Sequence, residues 1–222
     1  MENIKIRVSS FLKDSFILLI ILGALELIAY YGFFKNIPDF AQKFGYFLIF
    51  LVISVAICAA AIRNIKPYEK QFGCMSGMMI GMTIGMISGF LVGLVVGSTN
   101  GMFIGSLTGM LIGMAAGAWC GSCCGIMGIM EGLMAGLMGG LMGCMTTLMM
   151  LNDNLRIIIP LLTIISFIIL YGLDYMVAKE VKESELKLTK PNSLLSAVII
   201  SFIITMLLTY LMVYGPKSAL FR

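Results

Sequence analysis

The stretch GCMSGMMIGMTIGMISGFLVGLVVG, residues 73–97, decides how this chain is read. Glycine recurs on every fourth residue, from Gly73 through Gly77, Gly81, Gly85, Gly89, Gly93 and Gly97 to Gly125. The phase then slips by one and continues at Gly128, Gly132, Gly136 and Gly140. Met, Leu, Ile and Val fill most positions between. In lipid, small residues four apart let helix backbones approach closely, and van der Waals contact then drives association. Gly77, Gly81, Gly85, Gly105, Gly109, Gly113, Gly132 and Gly136 are the expected packing positions. The same four-residue phase could also record expansion of a tetrapeptide in the gene.

Outward from this stretch the chain remains apolar. Of 222 residues, 60% are hydrophobic and 12% charged, a balance suited to a polytopic membrane protein. The expectation is an all-α integral membrane bundle of about seven transmembrane helices around a Gly-xxx-Gly, Met-rich three-helix core, forming a single membrane domain. The spans are expected at 15–34, 44–62, 73–97, 101–118, 125–150, 156–176 and 193–214, and the first apolar run is read as a retained helix, not a cleaved signal. Ser98-Thr99-Asn100 and Trp119–Cys124 are expected to form the turns within the glycine region. Six spans, with 101–118 re-entrant, is the alternative.

The formal charge is +4. The basic residues lie in loops between spans, where they orient the chain; no basic patch interleaved with aromatics points to nucleic acid. With the N-terminus inside, inner segments hold ten Lys and Arg and outer segments five, which favours a cytosolic N-terminus and an external C-terminus. A plasma-membrane location is expected. The lipid bilayer is the expected partner, and further copies of the chain or other membrane subunits are candidates beside it.

Histidine is absent, which removes imidazole metal sites, His-ligated haem and His-based catalytic arrangements. Loops too short to enclose a substrate add to the expectation that the chain is not an enzyme.

Methionine is the second signal, with 20 residues in the chain. Met78, Met82 and Met86 each follow a glycine, as do Met110 and Met114. Met130, Met134 and Met138 form a ladder two residues beyond each glycine. Thioethers are soft ligands that select Cu(I); they also fill space beside small glycines.

Cysteine is the third. With the N-terminus inside, Cys74, Cys120, Cys123 and Cys124 collect at the inner face, with Cys58 near it and Cys144 apart. A reducing compartment leaves metal binding, redox exchange or inert packing for them. Glu26 and Glu131 lie well inside spans, where burial of a carboxylate is costly, so each is a candidate charge partner or proton carrier. Asp174 and Arg156 are read as snorkelling at span ends.

The i, i+4 methionines together with GxxxG, in about a third of the chain, resemble the high-affinity copper uptake transporters of eukaryotes. The span number differs and no Met-rich ectodomain is present. The paired cysteines near one membrane face resemble those of bacterial mercury-uptake proteins. The leading expectation is a permease or channel for a soft cation, with Cu(I) as its cargo, a methionine-lined path and inner thiol ligands. The alternatives are a non-catalytic scaffold or complex subunit packed through glycines, and a proton or small-cation pathway using Glu131.

Overall fold

The computed structural model describes residues 2–29, 40–67, 73–150, 154–183 and 194–215. Every element among them is helical: α1 (Glu2–Ala29), α2 (Phe40–Ile65), α3 (Cys74–Asn100), α4 (Met102–Gly121), a 3-10 turn (Ser122–Cys124), α5 (Gly125–Met149), α6 (Leu155–Glu183) and α7 (Leu194–Tyr214). Among the described residues, five stretches are long and apolar enough to cross a membrane: Gly45–Ile65, Cys74–Asn100, Met102–Met149, Leu155–Lys179 and Leu195–Tyr214. Met102–Met149 contains both α4 and α5, folded back at the 3-10 turn. The expected end of the first span, residues 30–34, lies outside the described residues.

α3 has two different faces. Its aliphatic side, with Ile80, Ile84, Leu91, Val92, Val95 and Val96, packs on α2, α6 and α7 in two continuous apolar clusters. Its glycine side meets α4 and α5. The three-helix unit joins the other helices mainly through α3, because α4 and α5 pack closely only on α3, on each other and on the turn between them.

Within that unit the glycines meet in tiers. Across antiparallel α3 and α4, Gly81 faces Gly121, Gly85 faces Gly117, Gly89 faces Gly113, Gly93 faces Gly109 and Gly97 faces Gly105. Across α4 and α5, Gly121 meets Gly128, Gly117 meets Gly132, Gly113 meets Gly136 and Gly109 meets Gly140. The first hairpin is thus symmetric about residue 101, which maps one glycine phase onto itself. The second is symmetric about the 124–125 bond, which requires the one-residue slip. Gly139 and Gly143 form a second row on α5 and admit the backbone at Met86 and Phe90 of α3.

Both reversals use glycine at positive φ. Gly101 has φ 88° and returns its N–H to the Gly97 carbonyl at 3.2 Å, and Gly125 has φ 69°. A side chain is disfavoured in this region by the contact of Cβ with the backbone carbonyl. Ser98, Thr99 and Asn100, expected as the first turn, are instead the buried last residues of α3. Ser98 and Thr99 donate to their own helix, to the Val95 and Val96 carbonyls at 2.6 and 3.1 Å, so their hydroxyls need no solvent. Asn100 Nδ2 donates to the Leu211 carbonyl of α7 at 2.8 Å, tying α3 to the last helix. Trp119, Cys120 and Gly121 likewise belong to α4, so that reversal begins at Ser122.

α6 carries Pro160 in its second turn. Proline has no N–H, so the Arg156 carbonyl four residues earlier loses its helical partner. The Tyr46 hydroxyl of α2 donates to that carbonyl, and the two helices are joined where the ladder is broken. α6 runs on to Glu183, seven residues beyond the expected span.

Candidate functional site

The axis of the three-helix unit is closed by backbone. A Cβ built on Gly89 would sit 2.8 Å from the Gly136 carbonyl oxygen and 3.1 Å from that of Gly109, so the helices are already in contact there. The methionines consequently do not line a passage along this axis. Met130, Met134 and Met138 project outward from α5, at 58%, 64% and 54% exposure, and Met82 and Met86 are exposed on α3. Met78, Met110 and Met114 are half-buried at the flanks of the unit. The geometric reason is the glycine tiers: once one side of each helix is committed to backbone contact, the long side chains must leave by the others.

Glu131 is exposed beside Met130 and one turn from Met134, on the outward side of α5. Glu26 is the reverse case. It is 4% exposed, shares a hydrogen bond with Thr205 of α7, and its Oε1 has no hydrogen-bond partner. The two intramembrane carboxylates are therefore in unlike surroundings and cannot be treated as one pathway by analogy. Asp174, expected to snorkel at a span end, is 1% exposed, and α6 continues for two more turns beyond it. Arg156 is exposed at the other end of α6, as its terminal position dictates.

Cysteines occupy both ends of the glycine tiers. Cys144 takes the place of a fifth glycine on α5, with its Sγ against Gly97 and Gly105 and directed to the Met102 carbonyl at 3.3 Å; it is fully buried. At the opposite end, Cys123 and Cys124 lie against Gly77, their sulfurs 3.7 Å apart, and the Cys124 thiol donates to the Cys74 carbonyl at 2.9 Å. The Cys123 thiol is directed to the Cys120 carbonyl at 3.5 Å, so this C-x-x-C pair does not set sulfur against sulfur there. Cys120 itself packs with Cys58 in the apolar cluster of α2, α3 and α6. Cys74, Cys123 and Cys124 are thus brought together, while Cys120 is not among them. Their thiols turn to backbone carbonyls, and among the described residues no group of three or more His, Cys, Asp or Glu side chains is placed to hold a metal ion.

A feature without a periodic signature lies on the other side of α4. A cleft of about 390 Å³ is bounded by α2, α3, α4 and α7, with Arg63 and Trp119 towards one end. Four helices distant in sequence build it, so spacing within any one of them could not have revealed it.

No family model, curated protein or solved structure matches this chain. The functional reading therefore rests on the chain's own chemistry.

Proposed function

We propose that the chain is a seven-span, non-catalytic membrane protein that acts as a subunit of a larger membrane assembly. Counting α1 as a span and dividing Met102–Met149 at its turn gives seven, with the N-terminus cytosolic, the C-terminus outside and the plasma membrane as the setting. The observation that carries the reading is Glu131, exposed on an outward helix face otherwise made of Met, Leu and Ile. A carboxylate facing acyl chains costs roughly 2.5–3.5 kcal/mol even on insertion scales. Contact with a partner helix, another copy or a second protein, relieves that cost and also covers the bare faces of α4 and α5. Mild detergent extraction followed by light scattering is expected to give a particle heavier than one 24.2 kDa chain with its detergent. A particle containing one chain and no other protein would sink this reading.

A second reading follows from the company Glu131 keeps. Met130, Met134 and Met138 share its face, and three soft donors beside one carboxylate match a monovalent soft cation such as Cu(I) better than a hard ion. The closed glycine axis moves any such path from the inside of one chain to the surface between chains. Cys123 and Cys124, whose sulfurs lie 3.7 Å apart, would offer two further soft donors at the inner end. Reduced protein exposed to Cu(I) is then expected to retain copper, and to lose most of it when Met130, Met134 and Met138 are replaced by Leu. A parallel variant lacking Cys120, Cys123 and Cys124 separates the two ligand sets. Copper-free wild-type protein, or equal copper in all three, rejects metal handling while leaving the assembly reading untouched.

A further inference from the structure

The reversal between α4 and α5 holds two thiols that are adjacent both in sequence and in space. Successive side chains of a 3-10 turn leave the axis about 120° apart. Cys123 and Cys124 nevertheless keep their sulfurs 3.7 Å apart. The notch that gathers them is Gly77 of α3, where a Cβ would stand 2.6 Å from the Cys123 sulfur and closer still to that of Cys124. Any side chain at position 77 would displace them.

Neither thiol is held by a strong partner. The Cys124 thiol donates to the Cys74 carbonyl at 2.9 Å, and the Cys123 thiol is directed to the Cys120 carbonyl at 3.5 Å. A thiol is a weak donor, so these contacts are readily exchanged for bonds to a ligand. Both residues are half-buried at the end of the three-helix unit, so part of each remains open to solvent.

The separation selects the shape of what the pair can hold. With bonds of about 2.3 Å, the length thiolates make to zinc, sulfurs 3.7 Å apart subtend roughly 107° at a shared atom. A linear two-coordinate ion would ask for sulfurs about 4.6 Å apart. A tetrahedral ion would ask for further protein donors, and among the described residues no group of three or more His, Cys, Asp or Glu is placed to hold a metal ion. Trivalent arsenic bearing one carbon substituent is pyramidal, soft enough for thiol sulfur, and complete with two protein ligands.

We propose that Cys123 and Cys124 together bind monosubstituted trivalent arsenicals. The free ligand carries two hydroxyls on arsenic. Each thiol gives its hydrogen to one departing hydroxyl, so two As–O bonds break, two As–S bonds form, two waters leave and arsenic stays trivalent. The second bond closes within an adduct already held by the first, and this chelation retains the ligand where a single thiol would not. The site shares its thiols with the copper reading but does not rest on it, and it needs no second chain.

The probe is phenylarsonous acid, added to the reduced, copper-free, full-length protein in detergent. One phenylarsenic group per chain is expected, with Cys123 and Cys124 protected from alkylation when the peptides are mapped by mass. Dimercaptopropanol, a dithiol, is expected to remove the group, and mercaptoethanol at the same thiol concentration to leave it. Cys123→Ser and Cys124→Ser are each expected to weaken retention by about a hundredfold, the weight of the lost intramolecular bond. Cys74→Ser and Cys120→Ser are expected to leave it unchanged, as is replacement of Met130, Met134 and Met138 by Leu, so failure of this site and failure of the copper reading are separately visible. No bound phenylarsenic, or protection of other cysteines in place of this pair, overturns the proposal; the protection is read on the unaltered chain and needs no variant to fold. Equal removal by the dithiol and the monothiol also overturns it, since that is the behaviour of a single-thiol adduct.

Discussion

Gly113→Ala is expected to destabilise the three-helix unit by about 3 kcal/mol, the upper range for overpacking a filled interior. The added Cβ would sit 2.8 Å from Gly89 Cα, 2.9 Å from the Gly136 oxygen and 2.9 Å from the Gly85 oxygen. All three are backbone atoms on neighbouring helices, so no rotamer change can relieve the contact. The helices must separate, and separation at one tier weakens dispersion contacts at the tiers above and below. Gly172→Ala in α6 supplies the comparison. Nothing lies within 4 Å of its Cβ position, and alanine is intrinsically better in a helix than glycine by about 1 kcal/mol. Reversible unfolding in mixed micelles should therefore move in opposite directions for the two variants. Equal and small effects would mean that the glycine tiers are not tightly packed in the protein.

Cys144 is expected to react with a thiol reagent at least about a thousandfold more slowly than Cys74 under native conditions, which corresponds to an opening free energy of about 4 kcal/mol. Single-cysteine chains retaining one or the other make the comparison direct. Cys74 is exposed at the start of α3. Cys144 is fully buried in the fifth tier, pressed on Gly97 and Gly105, with the Thr147 hydroxyl donating to its carbonyl at 2.7 Å. Its sulfur can be reached only if α5 leaves α3 and α4, so its labelling rate reads the opening of the unit itself. Gly113→Ala, two tiers away in the same unit, should accelerate that labelling while leaving Cys74 unaffected. Comparable rates for the two thiols would contradict the burial of the fifth tier. A membrane-impermeant reagent extends the same pair to sidedness, because the two cysteines lie at opposite ends of the tiers.

The thiols also illustrate how far spacing alone reaches. Cys74, Cys123 and Cys124 were expected at a common membrane face, and they are together at one end of the tiers. Cys120 belongs to the same short segment but points to α2, because the helix continues through Trp119 to Gly121 and rotates that side chain to the other side of α4. A turn and a helix place the same four residues differently, and only side-chain direction separates the two cases.

Composition and the four-residue glycine period were sufficient to establish that this is a helical, apolar chain with segments of membrane-crossing length. Those properties are local: they depend on hydropathy over about 20 residues and on backbone propensity, both readable in one dimension. Which side of each helix faces its neighbours was not. Glycine tiers turn the backbones inward and send Met130, Met134, Met138 and Glu131 outward, a placement that depends on how the helices pack. Glu26 is buried against Thr205 of α7, and Asp174 is buried on α6 before the helix ends. The one-residue slip after Gly125 has no meaning along the chain. It acquires one when the α4–α5 hairpin folds about a bond instead of a residue, because packing registers are set by symmetry between helices, a property of three dimensions.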